Sequence, residues 1–107
     1  MNVKWTPTAK KQWHKTARHI QKEFGDKTRE AFMQEVLQMS LLLGDHPEMG
    51  KVEPYLAGLP RAYRSVVVSR LNKIVYYADG NIIYIVAFWD TRREPNAQAR
   101  QVNDSLE

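Results

Sequence analysis

Two helix-period patterns joined by a very short turn constrain the fold of this chain more than any other feature. Thr6-Pro7 predicts the start of a first helix, because a threonine hydroxyl can cap free amides and proline is tolerated in the first turn. Gly25 predicts its end; a second helix follows over residues 27–43, and Gly44 predicts the end of that one. The residues at helical spacing are Ala9, Trp13, Ala17, Ile20 and Phe24, then Phe32, Val36, Leu37, Met39, Leu41 and Leu43. Two helices so closely joined form an antiparallel hairpin.

The pattern changes to strands in the second half. Residues 44–60 hold three of the five prolines and predict a connecting segment. The predicted strands are a short one around Val3, an alternating one at 63–70, then 74–77 and 82–89. The last is apolar throughout, as in a central strand buried on both faces, and Asp79-Gly80 before it predicts a two-residue hairpin turn. The expected fold is α+β: an N-terminal strand and an antiparallel helix hairpin packed on a curved, mainly antiparallel sheet.

The length of 107 residues predicts one domain, residues 1–107, because neither half could bury its apolar face alone. The matching helix and strand periodicities predict which side chains fill its core. These are Trp13, Ile20, Phe24, Phe32, Val36, Val67, Val75, Ile83, Ile85 and Ala87.

Several classes of protein and site are disfavoured by composition. The chain has no cysteine, which excludes disulfides and thiol chemistry, and its three histidines do not have metal-ligand spacing. No glycine-rich phosphate loop or nucleophile elbow is present, so we expect neither metal nor cofactor. No apolar run is long enough to cross a bilayer, and the first residues lack a signal core. We therefore expect a cytoplasmic protein with no membrane partner.

The positive charge is unevenly distributed. The formal net charge is +4, and six basic residues precede the first acidic one, Glu23. They are Lys4, Lys10, Lys11, Lys15, Arg18 and Lys22; a second basic set is Arg61, Arg64, Arg70, Lys73, Arg92 and Arg93. Such residues either form a solvated face or contact RNA, DNA or an acidic partner protein.

The strongest local signal is the end of the last predicted strand. There the sequence places Trp89, Arg92 and Arg93 just before Pro95, which prevents the strand from continuing. Arginines bind phosphate bidentately, and an exposed tryptophan can stack on a base. The alternative is that the two arginines pair with neighbouring carboxylates or with solvent.

The order of several short motifs resembles the RelE/ParE toxin superfamily. The motifs are Trp5-Thr6-Pro7-Thr8-Ala9, Gly50-Lys51-Val52-Glu53-Pro54, Leu59 with Tyr63-Arg64, Lys73-Ile74-Val75-Tyr76-Tyr77, residues 82–89, and Arg92-Arg93-Glu94-Pro95. The resemblance covers about residues 3–95, and its specificity lies in their order and spacing. It implies the toxin of a type II toxin–antitoxin system, a hetero-oligomer with a cognate antitoxin that covers its functional surface.

Two activities follow from the resemblance. RelE-like members cleave mRNA in the ribosomal A site without a metal, through attack of the RNA 2′-hydroxyl on its own phosphate, whereas ParE-like members poison DNA gyrase. For the first, the resemblance implies Glu53 as the base and Lys73 as a phosphate ligand, with Arg92 and Arg93 in the same role. The residues expected to contact RNA are Lys51, Arg64 and Trp89.

One departure concerns the general acid. YoeB-like cleaving members carry His-Tyr near the end of the last strand, where this chain has Trp89-Asp90. RelE-like members work with lysines and arginines in place of a full acid–base pair. A ribosome-dependent endoribonuclease that inhibits translation is nevertheless the expectation taken from the sequence. The alternatives are a ParE-like gyrase poison and a non-toxic member of the fold that binds antitoxin or regulates its operon.

Overall fold

The computed structural model describes residues 1–92, which form two helices and a five-stranded sheet. The elements are β1 (Asn2–Trp5), α1 (Pro7–Phe24), α2 (Asp26–Asp45), β2 (Lys51–Val52), a 3₁₀ turn (Pro54–Leu56), β3 (Arg64–Val68), β4 (Asn72–Asp79) and β5 (Ile82–Asp90). This is the predicted α+β class, with a helix hairpin packed on a mainly antiparallel sheet. Strand β2 and the 3₁₀ turn, both inside the predicted connecting segment, were not predicted. In the described part of the chain, no helix is long and apolar enough to cross a membrane.

The helix hairpin begins and turns at the predicted residues. The backbone N–H of Ala9 donates to Oγ1 of Thr6 at 3.2 Å, which caps α1, and Gly25 turns the chain with a φ of 94°. The second helix continues past its predicted end at Gly44. A side chain there would lie 2.9 Å from the carbonyl oxygen of Met1, so this glycine provides the space in which the N-terminus packs on α2.

The sheet has the order β1-β5-β4-β3-β2. Strand β1 runs parallel to β5, and every other pair is antiparallel. As predicted for a central strand, β5 is buried on both faces along most of its length. The hairpin before it differs from the prediction by one residue: Asp79 pairs with Ile82, so the turn residues are Gly80 and Asn81, and the φ of 60° at Gly80 favours glycine there.

Buried side chains form two clusters, one on each face of the sheet. The cluster under the helices contains Ala9, Trp13, Ala17, Phe32, Val36, Leu43, Val68, Ile74, Tyr76, Ile83, Ile85 and Phe88. The cluster on the opposite face contains Leu56, Tyr63, Val75, Tyr77, Val86, Ala87 and Trp89. The segment of the 3₁₀ turn contributes Leu56 to this second cluster, which is how β5 is covered on both sides.

Two predicted core residues are exposed, and a third lies at the edge of the core. Val67 is 55% exposed; its neighbours Val66 and Val68 pack towards the helices, so it faces the other side of the sheet, beyond the second cluster. Phe24 is 69% exposed because it is the last residue of α1 and lines an open groove. Ile20 is half-buried against the first cluster. The other seven predicted core residues are buried.

Candidate functional site

A buried ion pair joins Glu53 to Lys73. The Nζ atom of Lys73 lies 2.8 Å from Oε2 of Glu53, and their side chains are only 13% and 1% exposed. Oγ of Ser65 donates to the same carboxylate oxygen at 2.6 Å, and the backbone N–H of Tyr55 donates to Oε1 at 3.3 Å. Three donors therefore hold the carboxylate, which is how a buried charge becomes tolerable.

The local backbone carries Glu53 inward. Strand β2 pairs with only two residues of β3, and the backbone N–H of Glu53 then donates to the carbonyl of Tyr63 at 3.0 Å. Pro54 starts the 3₁₀ turn, and the Glu53 side chain caps that turn through Tyr55. The Glu53 carboxylate is therefore folded under the 3₁₀ turn and onto the sheet.

Aromatic rings surround the ammonium of Lys73. Its Nζ lies 5.2 Å from the ring centre of Tyr55 and 5.4 Å from that of Trp89, which is its register partner on β5. Trp89 is 0% exposed, and its Nε1 has no hydrogen-bond partner among residues 1–92. The expectation of an exposed aromatic at the end of β5 is therefore wrong, because the residue at that position faces the second core.

Burial and hydrogen bonding act in opposite directions on the pKa of Glu53. Burial raises it, because the charged form loses solvation. The hydrogen bonds from Lys73 and Ser65, the charge of Lys73 and the amide of Tyr55 lower it, and together they hold the pKa of Glu53 below its ordinary value of 4.5. At neutral pH the group is thus a carboxylate whose acceptor positions are already engaged by the protein.

Arg92 lies just after the end of β5. The guanidinium of Arg92 makes a two-pronged contact with Asp90, Nε to Oδ1 at 2.9 Å and Nη2 to Oδ2 at 2.7 Å. These contacts raise the pKa of Arg92 above its already high ordinary value. Its side chain remains 69% exposed. The predicted partner Arg93 lies outside the described residues.

The two remaining predicted RNA contacts lie on β2 and β3. Lys51 is exposed, whereas Nη1 of Arg64 donates to the carbonyl of Gly50 at 2.7 Å and holds the loop before β2. The structure therefore brings together Glu53, Lys73 and Trp89, all in the interior. Within residues 1–92, no hydrogen bond or ion pair joins Arg92 to that cluster.

A groove of about 1300 Å³ between the helix hairpin and the β3–β4 turn was not predicted. Its apolar wall includes Phe24 and Leu71, which are 69% and 46% exposed. Its charged lining is basic at Lys15, Arg70 and Arg92 and acidic at Glu35 and Asp90. Phe24 belongs to the predicted apolar stripe of α1. The sequence signal that could have indicated the groove is that this stripe continues to the last residue of the helix, just before Gly25. Among residues 1–92, no three His, Asp or Glu side chains are grouped so that they could hold a metal ion.

A family model covers most of the chain. Residues 3–95 match the family described as "ParE toxin of type II toxin-antitoxin system, parDE". A solved structure described as "Chromosomal ParDE TA system from P. aeruginosa" superposes with a TM-score of 0.71 and 18% sequence identity, covering 86% of this chain and 97% of that chain. At this identity the superposition shows a shared fold. No curated protein sequence matches the chain. Because the family match extends over most of its length, the chain belongs to the ParE toxin family of type II toxin–antitoxin systems.

Proposed function

We propose that this ParE-family toxin poisons DNA gyrase and does not cleave ribosome-bound mRNA. The observation that carries the proposal is the pairing of Glu53 with Lys73 in the interior. A general base must come within hydrogen-bond distance of the proton that it removes, and a phosphate ligand must reach the phosphate. Glu53, the expected base, and Lys73, an expected phosphate ligand, are instead paired with each other and covered by the 3₁₀ turn.

The end of β5 supports the same choice. YoeB-like cleaving relatives carry a general acid there, but in this chain Trp89 is buried and Asp90 accepts from Arg92. Arg92 itself remains exposed. By resemblance, arginines after the last strand occur in both branches, and their role in ParE-like gyrase poisons requires neither the base nor the acid of a nuclease.

Two assays with the same purified toxin test the target. Gyrase acting on supercoiled plasmid should accumulate protein-linked, linearised DNA when toxin is added. Messenger RNA on stalled ribosomes should stay intact, with or without EDTA. Equimolar antitoxin should abolish the gyrase effect, which controls for contaminating nucleases. Cleaved mRNA together with normal gyrase turnover would overturn the proposal.

The family implies an antitoxin partner, and we place its docking site in the groove between the hairpin and the β3–β4 turn. The support is chemical: a wall with exposed Phe24 and Leu71 beside Lys15 and Arg70 suits an acidic amphipathic segment that folds on contact. Antitoxins of this kind are expected to be acidic where they meet the toxin, so the charges are complementary.

A matched pair of variants tests this docking site. Phe24 and Leu41 are 69% and 70% exposed, but only Phe24 lines the groove. Phe24→Ala should weaken antitoxin binding roughly 30-fold, the loss expected of a central apolar anchor. Leu41→Ala should bind as the wild type does. Equal affinities for the wild type and both variants, measured by calorimetry, would move the antitoxin elsewhere.

A further inference from the structure

The outward face of α1 carries a straight row of cations. Lys11, Lys15, Arg18 and Lys22 are spaced at i, i+4, i+7 and i+11 and are all exposed. At 100° per residue they lie within an arc of about 60°, opposite the buried stripe, and extend over about 16 Å of the helix axis. The row is therefore the part of the helix farthest from the core.

This arrangement does not serve the stability of α1. Like charges at i, i+4 repel by about 0.2–0.5 kcal/mol per pair, and α1 has no acidic residue in its first turn, where the helix dipole favours one. The helix contains five basic residues and a single acidic one, an excess equal to the net charge of the whole chain. In α2, by contrast, acidic and basic residues are mixed.

Within the part of the chain that the structure describes, no ion pair neutralises the row. The ion pairs among residues 1–92 involve Arg61, Lys73 and Arg92, and none involves α1. A helix face whose cations repel one another and lack internal partners is suited to an external polyanion.

The composition of the row indicates which polyanion. Its arc offers no apolar anchor, which a protein interface or a membrane surface would use, because most of the apolar face of α1 packs in the core and the exposed Phe24 lies outside the arc. Lys15 is the one member of the row that also lines the groove. It also contains no Phe, Tyr or Trp on which an unpaired base could stack. What remains is a rigid line of charges about as long as the stretch of duplex axis over which one strand carries five phosphates.

We propose that the Lys11, Lys15, Arg18 and Lys22 row binds the phosphate backbone of duplex DNA without sequence preference. This contact goes beyond the proposed action on gyrase and needs no gyrase residue. A toxin that acts on a gyrase–DNA complex meets duplex DNA there, and the row would add affinity for it.

The test measures binding of the purified full chain to a fluorescent duplex of about 30 base pairs at several salt concentrations. Four phosphate contacts predict that affinity falls roughly 100-fold between about 50 and 200 mM salt. Lys11→Gln/Arg18→Gln should reduce this loss to roughly tenfold, because two contacts are removed. Lys4→Gln/Lys27→Gln lowers the net charge equally at exposed positions outside the row and should keep the wild-type salt dependence.

Each alternative has a distinct outcome. Equal salt dependence for both double variants would overturn the proposal, as would preferential binding of single-stranded RNA. Loss of antitoxin affinity in Lys11→Gln/Arg18→Gln with unchanged DNA binding would assign the row to an acidic protein. Arg18→Gln/Lys22→Gln repeats the test if the first variant unfolds. Gyrase is absent from the assay, so failure of the gyrase proposal leaves the DNA result unaffected.

Discussion

Lys73 and Glu53, twenty residues apart in sequence, meet at 2.8 Å between Nζ and Oε2 in the interior of the protein. The contact ties the segment after β2 to the start of β4, and Ser65 of β3 joins it through the same oxygen. The two residues that the sequence suggested as a base and a phosphate ligand therefore hold the fold together.

Breaking the pair from one side should be costly. Lys73→Met should lower the free energy of unfolding by about 3–5 kcal/mol, because it leaves a buried carboxylate without its cation. Glu53→Gln/Lys73→Met removes both charges and should lose clearly less than the sum of the single changes. Denaturant melts of the wild type, Lys73→Met, Glu53→Gln and the double variant give the interaction free energy of the pair. Additive losses would mean that the two residues are not coupled.

The pH dependence follows from the lowered pKa of Glu53. A carboxyl whose folded pKa is depressed contributes stability that is fully present above its ordinary pKa of 4.5 and is lost as pH falls through the lowered folded value. The wild type should therefore lose stability below that pH faster than Glu53→Gln. In Lys73→Met the chief lowering contacts are gone while burial still raises the pKa, so the acid loss should flatten or reverse. Thermal melts between neutral and acid pH measure both.

Substitution of Arg92 should lower toxicity without lowering the stability of the fold. Its side chain is mostly exposed and pairs with Asp90 only two residues away, so Arg92→Ala should leave the melting temperature unchanged. Toxicity should fall roughly tenfold or more if the guanidinium contacts the target, because a charge-assisted contact is lost. Growth assays at matched expression check this, and an unaltered toxicity would place the target contact elsewhere.

The loss of stability on truncating a side chain should follow its observed burial. Phe32 is 4% exposed and packs edge-on against Phe88, so Phe32→Ala should cost about 3–5 kcal/mol. Val67 is 55% exposed, and Val67→Ala should cost less than about 0.5 kcal/mol. Similar losses at both positions would contradict the assignment of Val67 to the exposed side of β3.

Local signals were sufficient for both helices and the central strand. Capping by Thr6, the turn at Gly25 and the apolar run of β5 depend on neighbouring residues, and they predicted both helices and the central strand. The extent to which each face of β3 is covered was harder to predict. Periodicity gives the alternation of Val67 with its neighbours but does not say that the second cluster ends before it reaches that side chain.

The site could be predicted only as a set of residues. The resemblance selected Glu53 and Lys73, but their contact depends on the 3₁₀ turn, which closes through long-range pairing of Glu53 with Tyr63. Trp89 shows the same limit: whether the last residues of a strand face solvent or a second cluster depends on the segment that packs over them.

The most direct measurement is the toxicity of Glu53→Gln/Lys73→Met expressed without antitoxin. If the pair is structural and the target is gyrase, the folded double variant should inhibit growth as strongly as the wild type and still trap gyrase–DNA complexes. A double variant that folds with native stability but no longer inhibits growth, whereas the wild type cleaves mRNA, would show that Glu53 and Lys73 are the catalytic pair of a nuclease.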